Sequence, residues 1–93
     1  MTTASVPTPS PKVLFTEIDD GTGVLLHLDT KFYYTLNATG VVVWKALADR
    51  SAASTGAIAD RIVAAFRVER EVAERDVAAL IAELLDGGLV IAK

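Results

Sequence analysis

Cysteine is absent from this sequence of 93 residues. That excludes disulfides, thiolate zinc sites, iron–sulfur clusters and a cysteine nucleophile. Histidine occurs once, at His27, so one chain cannot supply a His–His metal pair. Positive charge is scarce as well. Nine Lys and Arg stand against 12 Asp and Glu, a formal net charge of −3. Proteins that live on phosphate contacts usually show the opposite balance. Long hydrophobic runs are missing too. Stretches such as Val41–Trp44 and Ala78–Ala82 fall far short of the roughly 20 residues that span a bilayer. Residues 1–11, MTTASVPTPSP, carry no early positive charge and no apolar segment, so they do not read as a signal peptide. These absences point to a cytoplasmic chain with no membrane partner.

What is present is globular. Hydrophobic residues make up 52% of the chain and charged residues 23%, which excludes disorder over most of the length. The length suits one small domain. The Pro/Ser/Thr mixture of residues 1–11 reads as a flexible N-terminal tail with polyproline character, leaving residues 12–93 as the domain. A domain that small buries only about 60–65% of its unfolded surface. A surface groove suits it better than a deep, dry cavity.

The first half reads as strands. Residues 13–18 (VLFTEI) are rich in β-branched and aromatic residues, and Asp19-Asp20-Gly21-Thr22-Gly23 supplies turn chemistry. Residues 24–28 (VLLHL) alternate, with Leu25 and His27 on one side and Val24, Leu26 and Leu28 on the other. After the polar turn at Asp29-Thr30-Lys31, residues 32–36 (FYYTL) put Phe32, Tyr34 and Leu36 on one face and Tyr33 and Thr35 on the other. Short turns join the three strands into an antiparallel meander.

The period changes at Asn37, a good N-cap residue. Positions 40, 43, 44 and 47 then make a helical stripe ending near Asp49, despite the β-branched Val42 and Val43. Ser54 or Thr55 caps a second helix with Ile58, Ile62, Val63 and Phe66 on one face. A third helix starts around Glu69 to Val72, where acidic residues suit the helix dipole. Its apolar stripe is Val77, Leu80, Ile81, Leu84 and Leu85. Gly87 is placed as its left-handed C-cap, with Leu89 folding back. Three strands followed by three helices predict an α+β domain with the helices on one face of a small sheet.

The chemistry of catalysis is thin. His27 sits in an alternating strand with no base or nucleophile beside it, so it reads as a surface or half-buried strand residue. Gly21-Thr22-Gly23 lies between strands with no helix after it, so it reads as a turn and not as a phosphate loop. Glu69, Glu71, Glu74 and Asp76 spread around a helix start and read as a solvated surface, not a metal cage. The expectation is a non-enzyme with no cofactor and no metal. DNA binding is the alternative, because two helices after a small sheet can form a helix-turn-helix. Yet residues 69–86 hold six acidic residues and two arginines, a local net of −4, which argues against a groove-reading helix and against nucleic acid as partner.

What remains is the third strand. In a meander it lies at an edge, with backbone N–H and C=O groups available for pairing. Lys31 alone guards it. An extended peptide could add there by β-augmentation.

Several motifs sharpen this reading. Tyr33-Tyr34 precedes Leu36-Asn37-Ala38-Thr39-Gly40, followed by Trp44 and Leu47. Further on come Asp76-Val77, Ile81, Leu84, Gly88 and Leu89. In order and spacing, over about residues 13–91, they resemble the PqqD-like family. The resemblance implies a winged helix-turn-helix-like RiPP recognition element. Such a domain binds the leader of a ribosomally made precursor peptide and presents it to a modifying enzyme. It implies that the leader adds as a strand beside the third strand, in a groove closed by the third helix. Carried over, the peptide-binding residues are Phe32, Tyr33, Tyr34, Thr35, Leu36, Arg75, Asp76, Ala79, Leu80 and Glu83. Asn37, Gly40 and Trp44 match motif positions with structural roles. The Tyr-Tyr-x-Leu-Asn-x-Thr-Gly form looks closer to stand-alone recognition proteins of lasso-peptide and other peptide-modification clusters than to the pyrroloquinoline quinone protein itself. The partners implied are the leader peptide and a separate radical SAM enzyme, leader peptidase or cyclase. The open edge also makes a homodimer an expectation.

Overall fold

Alternating side chains over residues 13–36 fold as three antiparallel strands, and the helical stripes that follow pack on one side of them. The computed structural model describes residues 7–18, 21–49 and 54–91. Its strands are β1 (Thr8–Pro9), β2 (Val13–Glu17), β3 (Gly23–His27), β4 (Tyr33–Leu36) and β5 (Val90–Ile91). Its helices are α1 (Ala38–Ala48), α2 (Thr55–Phe66) and α3 (Arg70–Asp86), between β4 and β5. The main sheet runs β2-β3-β4, so the third expected strand, β4, stands at an edge. The α+β order is the expected one.

The register follows the alternation. Phe15, Leu25 and Tyr34 lie in one row across the sheet, as do Leu14, Leu26 and Tyr33. The first row faces the helices: Leu25 and Leu36 are buried, with Val13, Phe15 and Tyr34 packed against the core. The second faces outward, and Tyr33 is 66% exposed. A one-residue slip would exchange the two faces, so core burial fixes the register.

Asn37 caps α1 as expected. Its Oδ1 accepts from the Gly40 N–H at 2.8 Å, and Ser54 Oγ likewise accepts from the Ala57 N–H at 3.1 Å to start α2. Gly40 lies close against Leu36, and a Cβ there would be 3.0 Å from Leu36 Cδ2, tighter than ordinary contact. Val43, Trp44 and Leu47 are buried on α1, and the Trp44 ring lies 6.4 Å from Phe15. On α3 the buried stripe is Ala73, Val77, Ile81 and Leu84. Leu80 is only partly buried and Leu85 is exposed.

Four expectations need correction. Residues 1–6 of the tail and the turn residues Asp19 and Asp20 lie outside the described residues. The end of the tail, however, pairs: Thr8 faces Ile91 and Pro9 faces Val90 in a second, two-stranded sheet, and the Ser10 N–H donates to the Leu89 carbonyl at 3.0 Å. The short apolar C-terminus needs a partner, and a proline tolerates a strand of this kind because it is all edge. The left-handed residue after α3 is Gly88 (φ +71), whereas Gly87 keeps a helical backbone. The Gly88 N–H donates to Leu85 and the Leu89 N–H to Leu84, which is a Schellman closure one residue later than expected. His27 is buried at 8% exposure. Its Nδ1 accepts from the Asp29 and Thr30 N–H groups at 3.2 and 3.4 Å, so the ring ties down the β3–β4 turn. Finally, Phe66 is more exposed than a core position of α2 would be.

Two substitutions check this packing. Trp44→Ala should cost about 3–5 kcal/mol, a large share of a small domain's stability. Urea unfolding measures it, and an unmoved midpoint would contradict the burial. Gly88→Ala should cost about 1–2 kcal/mol for forcing a side chain into left-handed backbone. Gly87→Ala should cost clearly less. Equal losses would put the turn where the sequence alone had placed it.

Candidate peptide-binding groove

The edge strand has an open side. The His27 N–H donates to the Phe32 carbonyl at 2.9 Å. Pairs in an antiparallel ladder alternate between bonded and non-bonded positions. Counting on from Phe32, Tyr34 and Leu36 turn their backbone groups toward β3, and Tyr33 and Thr35 turn theirs to the outside. No further strand pairs with β4 among the described residues. Side chains follow the other axis: Tyr34 and Leu36 point to the core side, Tyr33 and Thr35 to the outer face.

Beside this edge lies an open groove of about 550 Å³. Tyr34, Thr35 and Leu36 form one wall. Asp76, Ala79, Leu80 and Glu83 form the other, four residues spaced to share one face of α3. Asn37, Thr39 and Gly40 from the start of α1 and Thr22 before β3 complete the lining. The buried stripe lies on the neighbouring face of α3, about a quarter-turn around the helix, and anchors it so that the groove face is held beside β4.

The Tyr34 hydroxyl donates to Glu83 Oε1 and joins the two walls. Burial pushes the Tyr34 phenol up, and the Glu83 carboxylate adds to this by hydrogen bonding and by its charge, to about 12 from the usual 10.0. The phenol is therefore a neutral donor at any ordinary pH.

Seven of the ten residues named from the sequence line the groove: Tyr34, Thr35, Leu36, Asp76, Ala79, Leu80 and Glu83. Three do not. Phe32 sits by the C-terminal end of α3, where a Cβ on Gly87 would meet its ring at 3.4 Å. Tyr33 projects from the outer face, although its backbone belongs to the free edge. Arg75 is exposed on α3 outside the lining. Thr22, Asn37, Thr39 and Gly40 were not anticipated. A signal existed for three of them, since the chain passes directly from β4 into the first turn of α1. Thr22 arrives through the pairing of Gly23 with Leu36, which local sequence does not reveal.

These features define a small α+β domain of winged helix-turn-helix type with a groove along a free strand edge. The family described as coenzyme PQQ synthesis protein D (PqqD) matches residues 22–90. The chain belongs to the PqqD family. Among solved structures it is similar to TbiB1 in complex with the TbiA(beta) leader peptide, at 32% identity and a TM-score of 0.78, over 89% of this chain and 93% of that one. It is also similar to a lasso peptide synthetase B1 complexed with the leader peptide, at 30% identity and a TM-score of 0.79, over 92% and 98%. No curated protein matches significantly.

The wall-to-wall contact gives a pH prediction. Because the folded state holds the Tyr34 proton more tightly than the unfolded state, its contribution is fully present below about pH 10 and is lost as pH rises toward about 12. In a spectrophotometric titration, Glu83→Gln should lower the Tyr34 value without returning it fully to 10.0, since burial is the larger cause. An unchanged titration would remove Glu83 from the account.

Proposed function

We propose that this protein is a non-catalytic adaptor. It captures the leader of a ribosomally made precursor peptide as an added strand beside β4 and presents it to a separate modifying enzyme. The observation that carries this reading is the free edge at Tyr33 and Thr35, running along a groove whose second wall is α3. Two similar structures hold leader peptides, which supports the same class of ligand here.

Main-chain pairing would supply affinity but little selectivity, so side chains entering between β4 and α3 would supply specificity. Ordering a disordered leader costs about 2–5 kcal/mol, which limits a short peptide to about micromolar to tens-of-nanomolar affinity. The partner enzyme is a radical SAM enzyme, a leader peptidase or a cyclase on another chain. Similarity to a lasso peptide synthetase component favours a lasso-type pathway. The setting is the cytoplasm, where the precursor is made. A second copy of the chain could pair at the same edge, so a homodimer would compete with the leader.

A role without catalysis is supported by the lack of cysteine and by the use of the single histidine as a turn cap. DNA binding lacks support. The helix that would read a groove is α3, and its neighbourhood carries a net charge of −4.

The edge assignment separates two adjacent prolines. Thr35→Pro removes an outward N–H and should weaken binding of the cognate leader peptide by about tenfold or more, with the fold retained. Tyr34→Pro removes an N–H that pairs with β3 and should unfold the sheet edge. Isothermal titration calorimetry and thermal melts measure both. Folded Thr35→Pro protein with wild-type affinity would refute strand addition at β4.

A further inference from the structure

The groove carries charge of one sign. Asp76 and Glu83 are its acidic side chains, and among the described residues no Lys, Arg or His lines it. The two carboxylates lie seven positions apart on α3, which puts them on one face about 10 Å apart. Cations on the same helix do not offset them in the groove. Arg70 is engaged with Asp60 and Glu74, and Arg75 lies outside the lining.

Glu83 is held by the Tyr34 hydroxyl. A neutral phenol satisfies one oxygen of the carboxylate but leaves its charge uncompensated. A Lys or Arg head offers both a hydrogen bond and an opposite charge. A strand added at β4 sends alternate side chains toward α3, so such heads can reach this wall while the backbone pairs at the edge.

Resting on the leader-capture reading, we propose that Asp76 and Glu83 make the groove selective for leader segments with Lys or Arg at the positions facing α3. The basic head takes over Glu83 and releases the Tyr34 hydroxyl. Selection is thus by charge along one face of an extended peptide, added to the backbone pairing that any sequence can make. Because the groove is open to water, the preference weakens with salt.

Selection from a displayed library of random twelve-residue peptides tests this. The wild-type protein should enrich Lys or Arg at alternating positions. Peptides so chosen should lose about threefold to tenfold in affinity for Glu83→Gln or Asp76→Asn at low salt. Replacing the peptide's basic residue by Gln should cause a similar loss with wild type and little further loss with the variant. Selected peptides that depend on the Thr35 edge but show no basic preference would overturn the charge selection and leave leader capture standing. Selected peptides indifferent to Thr35→Pro, or no selected peptides at all, would overturn both.

Discussion

Backbone hydrogen bonding at one strand edge governs this structure. Among the described residues the sheet stops at β4, and the N–H and C=O groups of Tyr33 and Thr35 are left facing outward. Proteins usually blunt such edges with charge, proline or a bulge. Here Lys31 stands in the preceding turn, with its left-handed backbone, and the strand itself is uncharged. Much of the remaining architecture determines what can reach that edge. The α3 stripe of Ala73, Val77, Ile81 and Leu84 fixes the helix on the core, and the adjoining face of α3 becomes the second wall. The Asn37 cap turns the chain sharply from β4 into α1 and closes one end.

A small domain makes this economical. Its core is a single layer between three strands and three helices, with Leu25, Leu36, Val43, Leu47, Ile62, Val77 and Leu84 fully buried. No helix among the described residues is long and apolar enough to cross a membrane. With so little interior, function falls to a surface. A bound strand would gain the hydrogen bonds that a fourth strand of the sheet would have made, and the chain would be completed by its ligand.

Much of this was legible in the sequence, because the responsible signals are local. Alternation over 32–36 gives the faces of β4 and Asn37 marks the start of α1, whereas the α3 wall of Asp76, Ala79, Leu80 and Glu83 came with Arg75 from the family resemblance and not from local pattern. The rest depends on distant pairing or on choices between neighbours. Thr8–Pro9 pairs with Val90–Ile91 across almost the whole chain, and neither stretch is long enough to show a strand period. Gly87 and Gly88 are adjacent, and only the closing hydrogen bonds decide which takes the left-handed backbone. His27 looked like a half-exposed strand residue because its partners, the N–H groups of the following turn, carry no sequence signature. Tyr33 falls in the stretch expected at the groove because edge backbone and groove side chains alternate along one strand, and residue names do not separate the two.

The central claim is that β4 gains a partner strand when the leader binds. Amide hydrogen exchange with and without the leader peptide measures this at single residues. The account predicts that the Tyr33 and Thr35 amides exchange quickly in the free protein and become strongly protected in the complex. Tyr34 and Leu36, already paired with β3, should change little by comparison. Protection appearing elsewhere, with Tyr33 and Thr35 still exchanging quickly in the saturated complex, would contradict it.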